Sequence, residues 1–222
     1  MELDPTALTT AQRYKLLIGG IVPRPIAVVS TISPGGHRNV APYSFFNGIG
    51  SDPMTLLFCP SNKTAPGTDG SWEKDSLRNA KPIEEGGTGA FVVNVADESI
   101  LNRIVATSAE LPYGESEFEL AGLRELASSR IAPPRIAESP LAYECRTLQV
   151  VRLHPETPGG GNIVIGEVVC VHVREDLINE RLHIDAERLA AVGRMGGQSY
   201  VLTRERFDMP RGDAALNAPL PF

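Results

Sequence analysis

Residues 20–58 open with Gly20-Ile-Val-Pro-Arg-Pro-Ile-Ala-Val-Val-Ser-Thr31, resume after a Pro34-Gly-Gly turn with Arg38-Asn-Val-Ala-Pro-Tyr-Ser-Phe-Phe-Asn47, and close with Asp52-Pro-Met-Thr-Leu-Leu-Phe58. Short β-branched or aromatic runs bounded by Pro, Gly and Asp are strand signals. Residues 26–33, 38–46 and 54–59 are therefore read as three successive antiparallel strands, separated by Pro-Gly-Gly-His and Gly-Ser-Asp-Pro. Polar residues crowd these runs where a barrel wall would simply alternate.

Upstream, residues 10–18 suit a short helix, with Thr9 or Thr10 as cap, Tyr14, Leu17 and Ile18 on one face and Gly19-Gly20 as the stop. Downstream, Lys74 to Arg78 opens a second helix in which Asp75 is expected at the N-cap, its carboxylate accepting free amide hydrogens. Phe91 to Val95 reads as a buried strand. Residues 98–107 place Ile100, Leu101, Ile104 and Val105 at helical spacing. After a loop-rich stretch, 109–140, two long strands are expected at 141–153 and 163–173. Apolar positions in the first fall at 141, 143 and 145 and then at 148, 150 and 151, a change of phase that a bulge or barrel corner requires. Sequential strands outnumber helices, and regular βαβ alternation is missing. The expected fold is mainly β, a six- to seven-stranded antiparallel barrel with short helices packed outside it.

Bulk properties narrow the functional class. With 222 residues, 42% hydrophobic and 22% charged, the chain suits one domain spanning 1–222, with its core over about 10–207 and an arm or tail over 208–222. A net charge of −6 makes a nucleic-acid surface an unexpected feature. Neither a signal segment nor a membrane span is read, and Cys59, Cys145 and Cys170, odd in number and set in apolar runs, are expected to be buried reduced thiols of a cytoplasmic protein. His37, His154, His172 and His183 are read as isolated from the cysteines and from each other, so no metal site and no nucleophilic triad is expected. Gly48-Ile-Gly50 runs into Ser-Asp-Pro rather than a third glycine, which disfavours a dinucleotide-binding loop.

Two clusters remain. Ala41-Pro-Tyr-Ser-Phe-Phe-Asn47 sets Ser44 and Asn47 among flat apolar side chains, a mixture that suits a planar heteroaromatic ligand or, more simply, a strand with its aromatics in the core. Ser61-Asn-Lys-Thr64 and Lys74-Asp-Ser76 gather ammonium and hydroxyl groups beside a helix start, where a phosphate would sit well and where a capped, solvated helix would look the same. Together they describe one ligand with a flat polar ring at one end and a phosphate at the other.

Pro23-Arg-Pro-Ile-Ala27, Asn39 to Asn47, Asp52-Pro53, Lys74 to Asn79, Phe91 to Asn94, Ala106-Thr-Ser108, Glu117 to Leu123, Glu144-Cys145, Ile165 to Val168 and Arg194 to Tyr200 occur in an order that resembles the flavin reductase-like, FMN-binding split-barrel family, which includes flavoredoxin and the reductase components of two-component monooxygenases. The resemblance implies a Greek-key split barrel and a homodimer holding non-covalent FMN at the subunit interface. It implies that Arg24, Pro25, Ser44, Phe45, Phe46 and Asn47 line the ring, with Asn47 or a backbone amide tuning N5. Ser61, Asn62, Lys63, Lys74, Asp75 and Ser76 would form the phosphate end. Thr107 and Ser108 would approach from a neighbouring loop or the other subunit, and Arg194, Met195 and Gly196 would lie at the ring's outer edge. Ser76 stands where the family more often has Thr, and it keeps the hydroxyl donor.

The activity this implies is hydride transfer from NADH or NADPH, bound transiently, to FMN, with reduced flavin supplied to a monooxygenase or other acceptor and no obligatory acid-base residue. The alternative is a flavoredoxin-like FMN electron carrier without its own nicotinamide activity.

Overall fold

The computed structural model describes residues 1–219. Helix α1 (Thr10–Gly20) begins at Thr9, whose hydroxyl accepts the Gln12 amide while the Gln12 side chain accepts the Thr9 N–H, a reciprocal cap. Its expected apolar face is not packed: Tyr14 and Leu17 are exposed and no residue of the helix is buried. The chain then enters β1 (Ala27–Ile32) and β2 (Arg38–Tyr43).

The run expected as one strand over 38–46 breaks at Ser44-Phe45, and a separate strand, β3 (Phe46–Ser51), follows. Gly50 and Ser51, read as part of a turn, belong to that strand; the reversal itself is Asp52-Pro53, leading into β4 (Met54–Phe58). After α2 (Asp75–Ala80) come β5 (Ala90–Val95), α3 (Leu101–Ala106), α4 (Glu117–Ala121), the two-residue strands β6 (Glu125–Leu126) and β7 (Arg135–Ile136), and the long hairpin of β8 (Leu141–Arg152) and β9 (Asn162–Val173). Helix α5 (Ala186–Leu189) and the ribbon β10 (Val192–Arg194) and β11 (Tyr200–Leu202) follow, and Gly212–Asn217 forms a 3-10 turn in the stretch read as an arm or tail. Residues 220–222 of that stretch lie outside the described residues.

Seven strands form one sheet in the order β2-β1-β5-β8-β9-β4-β3, with every pairing antiparallel. Connectivity forces this sheet to close. Laid flat, its edge strands would stand about 29 Å apart at the usual strand spacing. Yet β2 and β3 are those edges, and from Tyr43 to Phe46 the chain reaches at most about 11 Å. The sheet must curl until its edges meet at Ser44-Phe45, which makes a split barrel.

Inside it, Phe58 packs tilted against Tyr43 and edge-on against Phe91, with ring centroids 5.2 and 5.0 Å apart, among Val29, Leu77, Val93 and Cys145. Gly166 is the close approach that lets Phe91 fit: a Cβ there would lie 2.5 Å from the ring. The outer faces of β1 and β2 are covered in turn, with Val28 and Val40 packing on Ile100, Ile104 and Phe118. Buried on both faces, β1 reads as a continuous run rather than an alternation. Of the residues placed on one face of the 98–107 helix, Ile100 and Ile104 are buried and Val105 is exposed, because the segment starts as a 3-10 turn and only then becomes α3. The phase change expected in 141–153 is present as two irregularities in the β8 register, at Glu144/Cys145 and at Thr147/Gln149. Of the three cysteines, Cys145 is buried, Cys59 and Cys170 are only partly so, and all are free thiols.

Candidate functional site

Where β2 passes the start of α2, the barrel wall opens into a cleft of about 400 Å³. A buried polar lattice builds its floor. The Asn39 amide donates to the Ser76 hydroxyl at 2.9 Å, and the Asn79 amide donates to the Thr31 hydroxyl at 3.1 Å. These bonds tie α2 to β1 and β2, while Leu77 and Ala80 of the same helix pack into the core. The N-cap position of α2 is Lys74, which makes no side-chain cap. Asp75 is therefore not the cap expected from the sequence. It is the first helical residue, and Lys63 at 3.5 Å and Arg78 at 3.9 Å draw its carboxylate away from the helix amides.

The cleft gathers Lys63, Lys74, Asp75, Ser76, Thr107 and Ser108, six of the expected site residues, although 44 or more residues separate the last pair from Lys63. Lys74 forms no ion pair or side-chain hydrogen bond among the described residues. Thr107 and Ser108 end α3, their hydroxyls donating back to Ile104 and Val105 carbonyls at 2.8 and 2.7 Å. Asn39 and Glu117 are among the cleft residues not anticipated as site residues. Glu117 is buried, and one of its carboxylate oxygens accepts the Val40 N–H at 3.0 Å. Burial, with the Asp75 charge adding, pushes its carboxyl above the ordinary glutamate range against the lowering effect of that bond. Glu117 sits in a matching sequence segment, but only the packing of α4 on β2 turns it into the cleft.

The remaining expected residues go elsewhere. Arg24 is buried and its guanidinium donates to the Ile18, Ile21 and Met195 carbonyls and to the Ser44 hydroxyl, at 2.6–3.2 Å. It braces the end of α1 against the β10–β11 turn, with Phe45 stacked 5.9 Å away and Gly196 packed on Gly19. Pro25 is exposed, Phe46 packs on the barrel core, and the exposed Asn47 side chain accepts the Gly48 amide. Arg194 lies 4.3 Å from the Tyr200 ring and donates to Gly197. Ser61 bridges to Gly161. Asn62 is buried with its amide donating to the His154, Pro155 and Thr157 carbonyls, so it holds the loop between β8 and β9.

The donor set of the cleft suits a phosphorylated, polyhydroxylated ligand. Lys74 is free to neutralise an anion, hydroxyls surround it, and Ala41, Pro42 and Leu111 offer apolar wall.

The isolation read for His172 does not hold. Cys170 and His172 share one face of β9, and Glu144 comes from the paired strand β8, so that the three side chains converge outside the barrel. The spacing Cys-Val-His was visible in the sequence; its third member was not.

A profile of the flavin reductase like domain matches residues 19–192. The chain belongs to the flavin reductase-like family. It is 36% identical over 220 residues to an uncharacterized protein of Halalkalibacterium halodurans, covering 98% of this chain and 99% of that one. Among solved structures it is similar to nitrilotriacetate monooxygenase component B from Bacillus cereus, with 35% identity, a TM-score of 0.85 and coverage of 94% of this chain and 98% of that one. It is also similar to the 2-nitrobenzoate 2-nitroreductase NbaA of Pseudomonas fluorescens, with 31% identity, a TM-score of 0.82 and full coverage of both chains. No helix among the described residues is long and apolar enough to cross a membrane.

Proposed function

We propose that this protein is an NAD(P)H-dependent flavin reductase that holds FMN non-covalently in the cleft between β2, α2 and α3 and passes reducing equivalents to a monooxygenase or another acceptor. One observation carries the reading: an uncommitted ammonium, Lys74, and the hydroxyls of Ser76, Thr107 and Ser108 converge on a single cleft in a chain of this family. Lys74 would hold the phosphate and Ser76 would donate to it, while Lys63 offsets Asp75 and keeps the anion from meeting a bare carboxylate. Bound FMN supplies the hydride chemistry, and the protein's part is to position and to exclude water. Similarity to a monooxygenase component and to a nitroreductase supports reduction as the reaction.

A homodimer belongs to the same proposal. Among the described residues, Tyr14, Leu16 and Leu17 of helix α1 and Ile21 just after it stay about half exposed, and β3 pairs on one side only. Ser44, Phe45 and Asn47 lie beside that region, so a second copy seated there would set them against the cleft.

The test is anaerobic. Purified protein loaded with FMN is mixed with NADH and, separately, NADPH while flavin absorbance is followed; bleaching on a catalytic timescale with either donor is expected. Failure with both leaves an FMN carrier reduced by another protein, and failure to take up FMN at all removes the flavin assignment.

A further inference from the structure

The Glu144, Cys170 and His172 side chains have no part in the cleft, yet their donor atoms all lie within 4.8 Å of one another. The register explains the convergence: Glu144 pairs with Cys170 and Ala142 with His172, so alternate residues of two adjacent strands point to the same outer face. Two contacts meet at a single atom. His172 Nε2 stands 2.5 Å from Glu144 Oε1 and 3.5 Å from Cys170 Sγ. One ring nitrogen cannot serve both as donor to the carboxylate and as acceptor from the thiol. Three electron-pair donors thus face a common point with one proton between two of them.

We propose that this point is a divalent metal site, with zinc as the ion its chemistry fits. Thiolate, imidazole and carboxylate are the zinc donor set, and three protein ligands leave a fourth position for water. The spacing is close to what a tetrahedral ion needs. Bonds of about 2.0 Å to nitrogen and about 2.3 Å to sulfur put those two ligands about 3.5 Å apart, the separation already present between Cys170 and His172. The carboxylate and imidazole would open by less than about 1 Å as the ion replaces the shared proton.

Glu144 is held for this role from behind, since its two oxygens accept the Ser129 and Arg130 amides at 2.6 and 2.7 Å. Although burial opposes it, these amides and His172 keep the carboxyl below the ordinary glutamate range. His172 keeps about a quarter of its side chain, 23%, open to solvent, which gives an ion a way in. The ion would clamp the 127–134 strap to the β8–β9 hairpin.

Holoprotein incubated with equimolar zinc and passed through a desalting column is expected to retain about one zinc per chain by elemental analysis, with a sulfur scatterer at about 2.3 Å by zinc X-ray absorption. Cys170→Ser should lose the sulfur scatterer and at least tenfold in affinity, measured by competition with a chelator, while Cys59→Ser changes neither. Retention far below one zinc per chain, zinc without a sulfur neighbour, or an unchanged site in Cys170→Ser would each overturn the assignment. None of these readouts depends on flavin reduction.

Discussion

Lys74 and Arg24 both stand in segments dense with polar residues, and both read from the sequence as ligand-binding cations. Their surroundings differ completely. Arg24 is buried with all its reach spent on three carbonyls and a hydroxyl of its own chain, whereas Lys74 faces a cleft and is engaged by nothing among the described residues. A polar side chain marks a binding site by what it leaves unsatisfied, not by its presence.

The largest effect is expected where the brace is removed. Arg24→Ala leaves the Ile18, Ile21 and Met195 carbonyls without their donor and should cost about 2–4 kcal/mol in denaturant unfolding. If stability is unchanged and FMN affinity falls, the brace assignment fails and Arg24 returns to the ligand.

Next comes the ligand cation. Lys74→Ala should weaken FMN by roughly 10- to 100-fold, the worth of one charge-assisted bond, with unfolding unaffected and the loss shrinking as salt rises. Riboflavin, which lacks the phosphate, should not sense the change; an equal loss for both ligands would move the phosphate away from Lys74.

A smaller effect is expected at Arg78, which ties the two loops flanking the cleft. It pairs with Asp69 at 2.6 Å and stacks 3.9 Å from the Tyr113 ring. Arg78→Lys keeps the charge and loses the planar stack, so FMN release should quicken about threefold, on the order of half a kcal/mol. Unaltered release kinetics would show that the loops hold without it.

The smallest is a pH effect through Glu117. Its raised carboxyl gains a proton on folding, so its contribution to stability is full below the ordinary value of 4.5 and is lost as pH climbs through the raised one. The charge released there faces Asp75, Lys63 and Lys74 and opposes an anionic ligand. FMN affinity should therefore rise with pH more steeply in Glu117→Gln than in the parent, where deprotonation of Glu117 offsets the growing charge of the phosphate. Identical profiles would place Glu117 outside ligand range.

Much of the barrel was legible because strands advertise themselves locally. The long runs 141–153 and 163–173 emerged as β8 and β9 within a residue at each end, and the phase change in the first marked real bulges. The break at Ser44-Phe45 was not legible, since nothing in Tyr-Ser-Phe-Phe says that the chain is passing from one sheet edge to the other. Asp75 failed as a cap for a related reason. Cap propensity assumes that the carboxylate has no better partner; Arg78 is a local one three residues on, and Lys63 arrives only with the fold.

By itself, then, the sequence determined the strand order along the chain, the antiparallel barrel and the family, and it singled out Lys63, Lys74, Asp75, Ser76, Thr107 and Ser108, which the fold gathers in one cleft. These follow from periodicity, turn chemistry and ordered motifs. Tertiary structure alone decided which cations are spent and which are free, how Glu117 enters the cleft, and how Glu144 joins Cys170 and His172. Those outcomes depend on register between strands far apart in the chain, and a sequence records spacing along the backbone but not the distance across a sheet.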